Sequence, residues 1–153
     1  MKKIANLIII TMLLLFGCSE PQSYTLAEES IDFSSLNQSR IELYIESDVV
    51  SNNLIIYQLF NPTTNDISLP GDPNASRIFK YTNNNWHEVH PAGNGYVDIQ
   101  DFIKVILPDS YAVFQLNLES RFGISGLPTG RYKIAHPIGT LGASWTWREF
   151  YIE

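Results

Sequence analysis

The stretch Leu127-Pro128-Thr129-Gly130-Arg131-Tyr132-Lys133-Ile134 has the features of a corner that leads into a β-strand. Pro128 has no backbone N–H for a sheet ladder, so it ends whatever strand precedes it. Gly130 accepts a positive φ and can turn the chain. Tyr132 and Ile134 then share one face of a new strand, and the Tyr132 hydroxyl can bond back to the turn, as in a tyrosine corner. The stretch therefore predicts a β-sandwich, and we assign Tyr132 to its architecture.

The chain before and after this corner has the pattern of short strands. Apolar and polar residues alternate over 41–45 and 111–118, and a nearly continuous apolar run over 54–60 predicts a central strand. Asn83-Asn84-Asn85 between two β-prone segments predicts a hairpin. No segment after Cys18 has a sustained helical period. The pattern predicts an all-β, antiparallel sandwich of about seven to nine strands over residues 39–153.

Five landmarks follow one another in an order that resembles a known family. They are the strand end Phe60-Asn61-Pro62-Thr63, Trp86 after the Asn-rich turn, Pro108-Asp109-Ser110, the corner from Leu127, and the terminal Phe150-Tyr151-Ile152. This order is similar to that of small bacterial immunoglobulin-like domains of secreted lipoproteins, related in pattern to the BsuPI type of proteinase-inhibitor domain. The resemblance covers residues 40–153. It implies an immunoglobulin-like sandwich in an extracytoplasmic setting, and it implies no mechanism.

Residues 1–17 have the pattern of a bacterial lipoprotein signal peptide. A positive start is followed by an apolar run over 4–16, which is too short and wrongly flanked for a transmembrane helix. The run ends Leu15-Phe16-Gly17-Cys18, which resembles a lipobox and implies cleavage before Cys18, a diacylglyceryl thioether on its sulfur and an acylated amino group. Cys18 is the only Cys, which excludes an intrachain disulfide. The alternatives are ordinary cleavage with a free thiol and an uncleaved anchor helix.

Residues 18–38 are polar and weakly patterned, so they predict a lipidated Cys followed by a tether to the domain. Several acyl chains on Cys18 would anchor the protein stably. Ser19 resembles the residue at this place in outer-membrane-directed lipoproteins of diderm bacteria. We therefore expect a protein of the bacterial cell envelope, held by lipid in the outer membrane if the organism has two membranes.

Charge disfavours one class of partner. The sequence has 10 basic and 16 acidic residues; removal of Lys2 and Lys3 with the signal peptide leaves 8 basic residues and a net charge of −8. Nucleic acids and anionic membrane surfaces are bound by clustered Lys and Arg, and the sequence has no such cluster. We expect no nucleic-acid partner.

The last strand offers the strongest candidate binding surface. The family pattern turns Phe150 toward the core, and the two-residue period then places Trp145, Trp147 and Tyr151 together on the outer face. Three aromatic rings there could stack on sugar rings or anchor a protein. Alternatively, Trp145 and Trp147 cap the end of the sandwich or are covered by the tether.

Other groups of polar residues are weaker candidates for a functional site. His87 and His90 are three positions apart and face opposite sides of a strand, so we predict no metal site there. Asp98 and Asp101 could belong to a Ca²⁺-binding carboxylate cluster, but no calcium-loop motif surrounds them. His136 precedes a proline and fits the end of a strand. We predict no cofactor and no catalytic residue.

These observations predict a lipid-anchored, extracytoplasmic binding or accessory module without catalytic activity, whose partner is a protein or a glycan of the envelope. A second hypothesis is a proteinase-inhibitor-like protein that inserts an exposed loop, 72–76 or 91–95, into a protease cleft. A third is a hydrolase with dispersed active residues, for which no motif in the sequence provides support.

Overall fold

The structure is a computed structural model that describes residues 24–50, 53–92, 102–123, 126–139 and 143–153. The signal peptide, Cys18, Asp98 and Asp101 lie outside these residues. The elements in chain order are β1 (Tyr24–Ile31), β2 (Glu42–Ile45), β3 (Val49–Val50), β4 (Leu54–Asn61), β5 (Ile67–Pro70), β6 (Arg77–Thr82), β7 (Asn85–Pro91), β8 (Ile103–Ile106), β9 (Ser110–Asn117), α1 (Leu118–Phe122), β10 (Gly130–Ile138) and β11 (Ser144–Ile152). No helix in the described ranges has the length and apolar content needed to span a bilayer.

The strands form three sheets in a sandwich-like arrangement, which confirms the prediction of an all-β fold. The largest sheet has the order β1-β7-β6-β10-β11-β3, and the others are β2-β4-β9 and β5-β8. The named strands pair antiparallel except β3, which pairs parallel with β11. The described residues form eleven strands, more than the seven to nine expected, because β1 lies in the predicted tether and β3 has two residues.

The main core lies between the six-stranded sheet and the sheet β2-β4-β9. The predicted alternation on β9 is confirmed, since Ala112, Phe114 and Leu116 are buried and the residues between them are exposed. Tyr57 on β4 stacks on Phe114 with 5.1 Å between ring centroids. The same cluster includes residues from eight further strands and from α1, among them Leu43, Val50, Leu69, Ile78, Val89, Ile106, Leu118, Ile134 and Phe150.

The predicted corner is present. Gly130 has a φ of +154°, a conformation that favours glycine, and β10 starts there. The buried Tyr132 donates a hydrogen bond from its hydroxyl to the Pro128 carbonyl oxygen at 2.7 Å. Its ring stacks on Phe150 of β11 with centroids 5.6 Å apart. One side chain thus ties the corner to the core.

The predicted hairpin is also confirmed. Asn83 and Asn84 both have positive φ, +50° and +64°, and Thr82 pairs with Asn85 across the turn. Two central residues with positive φ define a type I′ turn, whose twist matches that of the flanking strands. The hairpin therefore fixes the register of β6 and β7.

A second, smaller core covers the outer face of the six-stranded sheet and corrects the extent of the predicted tether. β1 pairs with β7, from Tyr24 opposite Pro91 to Ile31 opposite Trp86. The chain then makes a 3-10 turn, and Phe33 packs edge-on against Phe79 with centroids 5.0 Å apart. The described residues up to Leu36 therefore belong to the folded domain. Their apolar side chains are spaced too irregularly for the sequence pattern to show a strand.

We predict that Tyr132→Phe lowers the free energy of unfolding by about 0.5–1.5 kcal/mol, because the corner loses the hydrogen bond between the Tyr132 hydroxyl and the Pro128 carbonyl. Urea unfolding measures the change. Tyr111→Phe is the matched control, since that side chain is 65% exposed. Equal stability of the two variants would show that the corner hydrogen bond contributes nothing.

Candidate functional site

The outer face of β11 carries the three aromatic residues that the sequence singles out. Thr146 and Phe150 are buried on the inner side, and Trp145, Trp147 and Tyr151 lie on the opposite face. Their exposure differs: Tyr151 is 47% exposed, and both tryptophans are half-buried. The row of rings is therefore open at the Tyr151 end.

The two tryptophans are partly covered by the chain that follows β1. Phe33 meets Trp147 edge-on with ring centroids 5.2 Å apart. The Trp145 backbone donates to the Asn37 carbonyl at 2.9 Å and accepts from the Ser39 N–H at 2.8 Å. The Arg77 guanidinium lies 5.0 Å from the centroid of the Trp145 ring. The sequence left three alternatives for Trp145 and Trp147: an open aromatic face, a cap on the end of the sandwich, and covering by the tether. In the structure, residues 33–39 partly cover both tryptophans.

Basic side chains of β10 extend this face, and sequence reasoning did not include them. Lys133 Nζ lies 4.2 Å from the centroid of the Trp86 ring and 4.5 Å from that of Phe33. Arg131 lies 4.8 Å from the Tyr81 ring. Cations and aromatic faces attract at these distances. The sequence feature that could have identified them is the alternation of side chains along β10, which places Arg131 and Lys133 on the side opposite Tyr132.

Glu149 links the two cations. Its Oε2 accepts from Arg131 Nη2 at 2.6 Å, and its Oε1 lies 3.4 Å from Lys133 Nζ. Burial acts to raise the pKa of Glu149, but the hydrogen bond from Arg131 and the charges of Lys133 and Arg131 outweigh it and hold the pKa below its ordinary value. Glu149 is therefore a carboxylate at neutral pH, and the face carries charges of both signs.

A shallow groove of about 400 Å³ runs beside these residues. We call it the β11 groove; it is lined by Asp48, Lys133, Trp147, Arg148, Glu149 and Tyr151. Arg148 forms an ion pair with Asp48 at 3.6 Å. A second depression, of about 470 Å³, lies on the other side of Lys133 and includes Asp32, Tyr81 and Trp86 in its wall. The groove offers hydrogen-bond donors, acceptors and aromatic surface to a polar ligand.

A buried polar cluster lies in the main core. Ser76 Oγ is 2.7 Å from both His136 Nδ1 and the Tyr57 hydroxyl, and His136 Nε2 is 3.1 Å from the Pro70 carbonyl oxygen. Because a carbonyl only accepts, Nε2 carries the proton and Nδ1 accepts. Arg121 of α1 donates to the Ser76 carbonyl at 2.6 Å. A Ser–His pair is the arrangement of a nucleophile and its base, but both side chains are fully buried.

The sequence placed His136 at a strand end because Pro137 follows it. The structure instead pairs His136 with Thr146 inside β10–β11, and Pro137 still lies in the strand opposite Trp145. Burial lowers the pKa of His136 to about 4, with the Pro70 hydrogen bond acting in the opposite direction. His136 is therefore a neutral core residue at pH 7, which fits a structural role for the cluster.

His87, which the sequence analysis considered as a metal ligand, has a structural contact: its Nδ1 lies 3.0 Å from the Ala27 carbonyl of β1. The next residue, Glu88, forms an ion pair with Arg77 at 3.4 Å. The described part of the chain has no group of three or more His, Cys, Asp or Glu side chains that could hold a metal ion.

The loop 72–76, considered for protease inhibition, forms a 3-10 turn. Asp72 caps the turn by accepting from the Asn74 N–H at 2.8 Å. Asp72 and Ser76 are buried at its two ends. This packing gives the inhibitor hypothesis no support from loop 72–76, and most of loop 91–95 lies outside the described residues. The hypothesis stays a prediction.

Comparison with known proteins leaves the family open. No protein-family model matches the sequence, and no curated protein matches it. The resemblance to immunoglobulin-like domains of bacterial lipoproteins stays a prediction from the order of the sequence landmarks.

We predict that the stability of the protein falls by about 3 kcal/mol as the pH is lowered from 6.5 to 4 through His136 alone. The pKa of this side chain is about 4 in the fold and about 6.5 in the unfolded chain, so the unfolded state binds more protons in this interval. Urea unfolding over this pH range measures the slope.

The control isolates this group from the carboxylates that titrate in the same interval. His136→Gln should flatten the pH profile relative to the wild type, and His90→Gln, an exposed position, should leave it unchanged. Parallel profiles for His136→Gln and the wild type would contradict the prediction.

Proposed function

We propose that this protein is a lipid-anchored binding module of the bacterial cell envelope that acts without catalysis and holds a glycan or protein partner in the β11 groove. The observation that carries the proposal is the groove itself. It combines the exposed Tyr151, the half-buried Trp147 and a set of paired charges on one face of the six-stranded sheet. Function placed on a rigid scaffold is the usual arrangement of a binding surface.

The composition of the groove favours a polar ligand with flat apolar faces. Aromatic rings stack on such faces, and charged groups fix the ligand's orientation through hydrogen bonds. Lys133 and Glu149 are already oriented by their mutual contact at 3.4 Å, so a ligand would pay little to order them. Sugars with acidic or acetamido groups, and peptide segments with a planar side chain, have this chemistry.

We predict that Tyr151→Ala weakens partner binding by at least about fivefold, because an aromatic anchor in a groove typically contributes more than about 1 kcal/mol. The intact lipoprotein is used to recover its partner from its own envelope, and Trp fluorescence is then titrated with soluble cell-wall glycan fragments and with the recovered material.

Tyr44→Ala is the matched control for this measurement. Tyr44 is 48% exposed, against 47% for Tyr151, and it lies on β2 outside the groove. Loss of binding in Tyr151→Ala alone supports the groove. If both variants keep the affinity of the wild type for every recovered partner, the groove is not the binding surface.

The anchor has a separate test. We predict that Cys18→Ser moves the protein from the membrane fraction to the aqueous fraction of the envelope, because the thioether on the Cys18 sulfur cannot form. Fractionation followed by immunoblotting measures the distribution, and mass spectrometry of the wild type measures the added acyl mass. Unchanged membrane association of Cys18→Ser would contradict lipid anchoring at this residue.

A further inference from the structure

One edge of the sandwich carries a row of exposed apolar side chains. Phe102, Ile103, Val105 and Leu107 are between 49% and 59% exposed, and we call them the β8 patch. Ile103, Val105 and Leu107 alternate with two residues that turn inward: Ile106 is buried and Lys104 Nζ lies 4.7 Å from the centroid of the Phe114 ring. Phe102 precedes the strand and is exposed beside this row. Single exposed apolar residues are ordinary, but a contiguous row marks a contact surface.

The topology places this patch at the end of the sandwich where β1 begins. The β6–β7 hairpin turns at Asn83-Asn84, so Pro91 lies at the other end, and Tyr24 pairs with Pro91. β10 runs antiparallel to β6 and leaves the sheet at that same end, where the Gly139 N–H donates to the Ser68 carbonyl of β5 at 3.0 Å. Because β5 pairs with β8, the patch and the first residue of β1 share one end.

The chain between the lipid site and the fold is short. Five residues separate Cys18 from Tyr24. Six Cα–Cα steps span at most about 20 Å when fully extended. An acylated Cys18 in the membrane interface therefore holds this end of the sandwich close to the lipid surface.

We propose that the β8 patch rests in the interfacial region of the bilayer that holds the acyl chains of Cys18. The inference rests on the lipid anchor of the proposed function. Exposed aliphatic and phenyl groups gain by leaving water at this interface, to a depth of about 5–10 Å for an apolar face. Residues 102–107 include Lys104 and no acidic residue, and Asp101 and Asp109 flank them. The contact therefore depends on the burial of apolar side chains and not on charge.

Contact between the β8 patch and the bilayer would also determine which way the β11 groove faces. Tyr151 pairs with Arg131 next to the corner, at the end of the sheet opposite Tyr24. When the β8 patch contacts the bilayer, the groove opens away from it. The short tether and the patch together would present one fixed face of the module to its partner.

The test uses the full-length lipoprotein reconstituted in neutral phosphatidylcholine vesicles. Acylation blocks the Cys18 thiol, so Val105→Cys introduces a single labelling site for an environment-sensitive fluorophore. Glu46→Cys is the matched control, because this exposed residue follows β2 toward the opposite end of the sandwich, where its N–H donates to the Ile56 carbonyl at 3.1 Å. We expect a blue-shifted emission and strong quenching by brominated lipids for the label at residue 105, and neither for the label at residue 46. Flotation with the vesicles is measured on the same samples.

Each outcome has a distinct meaning. Protein that floats with the vesicles while both labels stay equally exposed to solvent overturns the patch contact and leaves the anchor intact. Protein that does not float overturns the anchor and the contact with it. A blue shift at residue 105 that needs a high protein-to-lipid ratio and resists brominated lipids shows contact between two copies of the chain and overturns the inference. Adding Ile103→Asp should abolish the quenching at residue 105, and circular dichroism verifies that this variant is folded.

Discussion

Burial of β10 on both faces is the constraint on which the other parts of the structure depend. All seven residues from Tyr132 to Ile138 are buried. The inner side supplies Tyr132 and Ile134 to the main core, and the outer side supplies Ala135 to the second core. β11 pairs with the strand from Gly130 to Ile138 and β6 pairs with it from Tyr132 to Ala135, so the backbone N–H and C=O groups of the doubly flanked part are satisfied without water. We therefore expect β10 to be stable only when both cores form.

Two polar side chains show the consequence of this burial. Lys133 is 9% exposed, and its ammonium group lies between aromatic rings and the Glu149 carboxylate. A buried charge persists only when it is paired in this way. His136 meets the same constraint on the inner side by staying neutral and using both ring nitrogens. The outer pair becomes part of the candidate binding face, and the inner one stabilises the core.

The local parts of the fold were predictable from the sequence, because their signals are local. Alternation identified β9, the paired asparagines identified the hairpin, and Pro128 with Gly130 and Tyr132 identified the corner. Covering of the tryptophans by the tether was one of two alternatives, and the sequence could not identify Phe33 as the covering residue, since the contact joins residues more than a hundred positions apart. The same reason applies to the site. The alternation of side chains along one strand is enough to predict that Tyr151 faces outward. The contribution of Lys133 and Trp86 to the same face depends on the order of strands in the sheet.

The central claim is that β10 is the doubly covered centre of the domain, and amide hydrogen exchange tests it most directly. We expect the amides of Ile134 and Ala135 to exchange most slowly, with opening free energies equal to that of global unfolding. We also expect those of β1, at the sheet edge, to exchange faster. If the β10 amides exchange as fast as those of β1 under conditions where the protein is folded, two-sided burial of β10 does not hold the structure together.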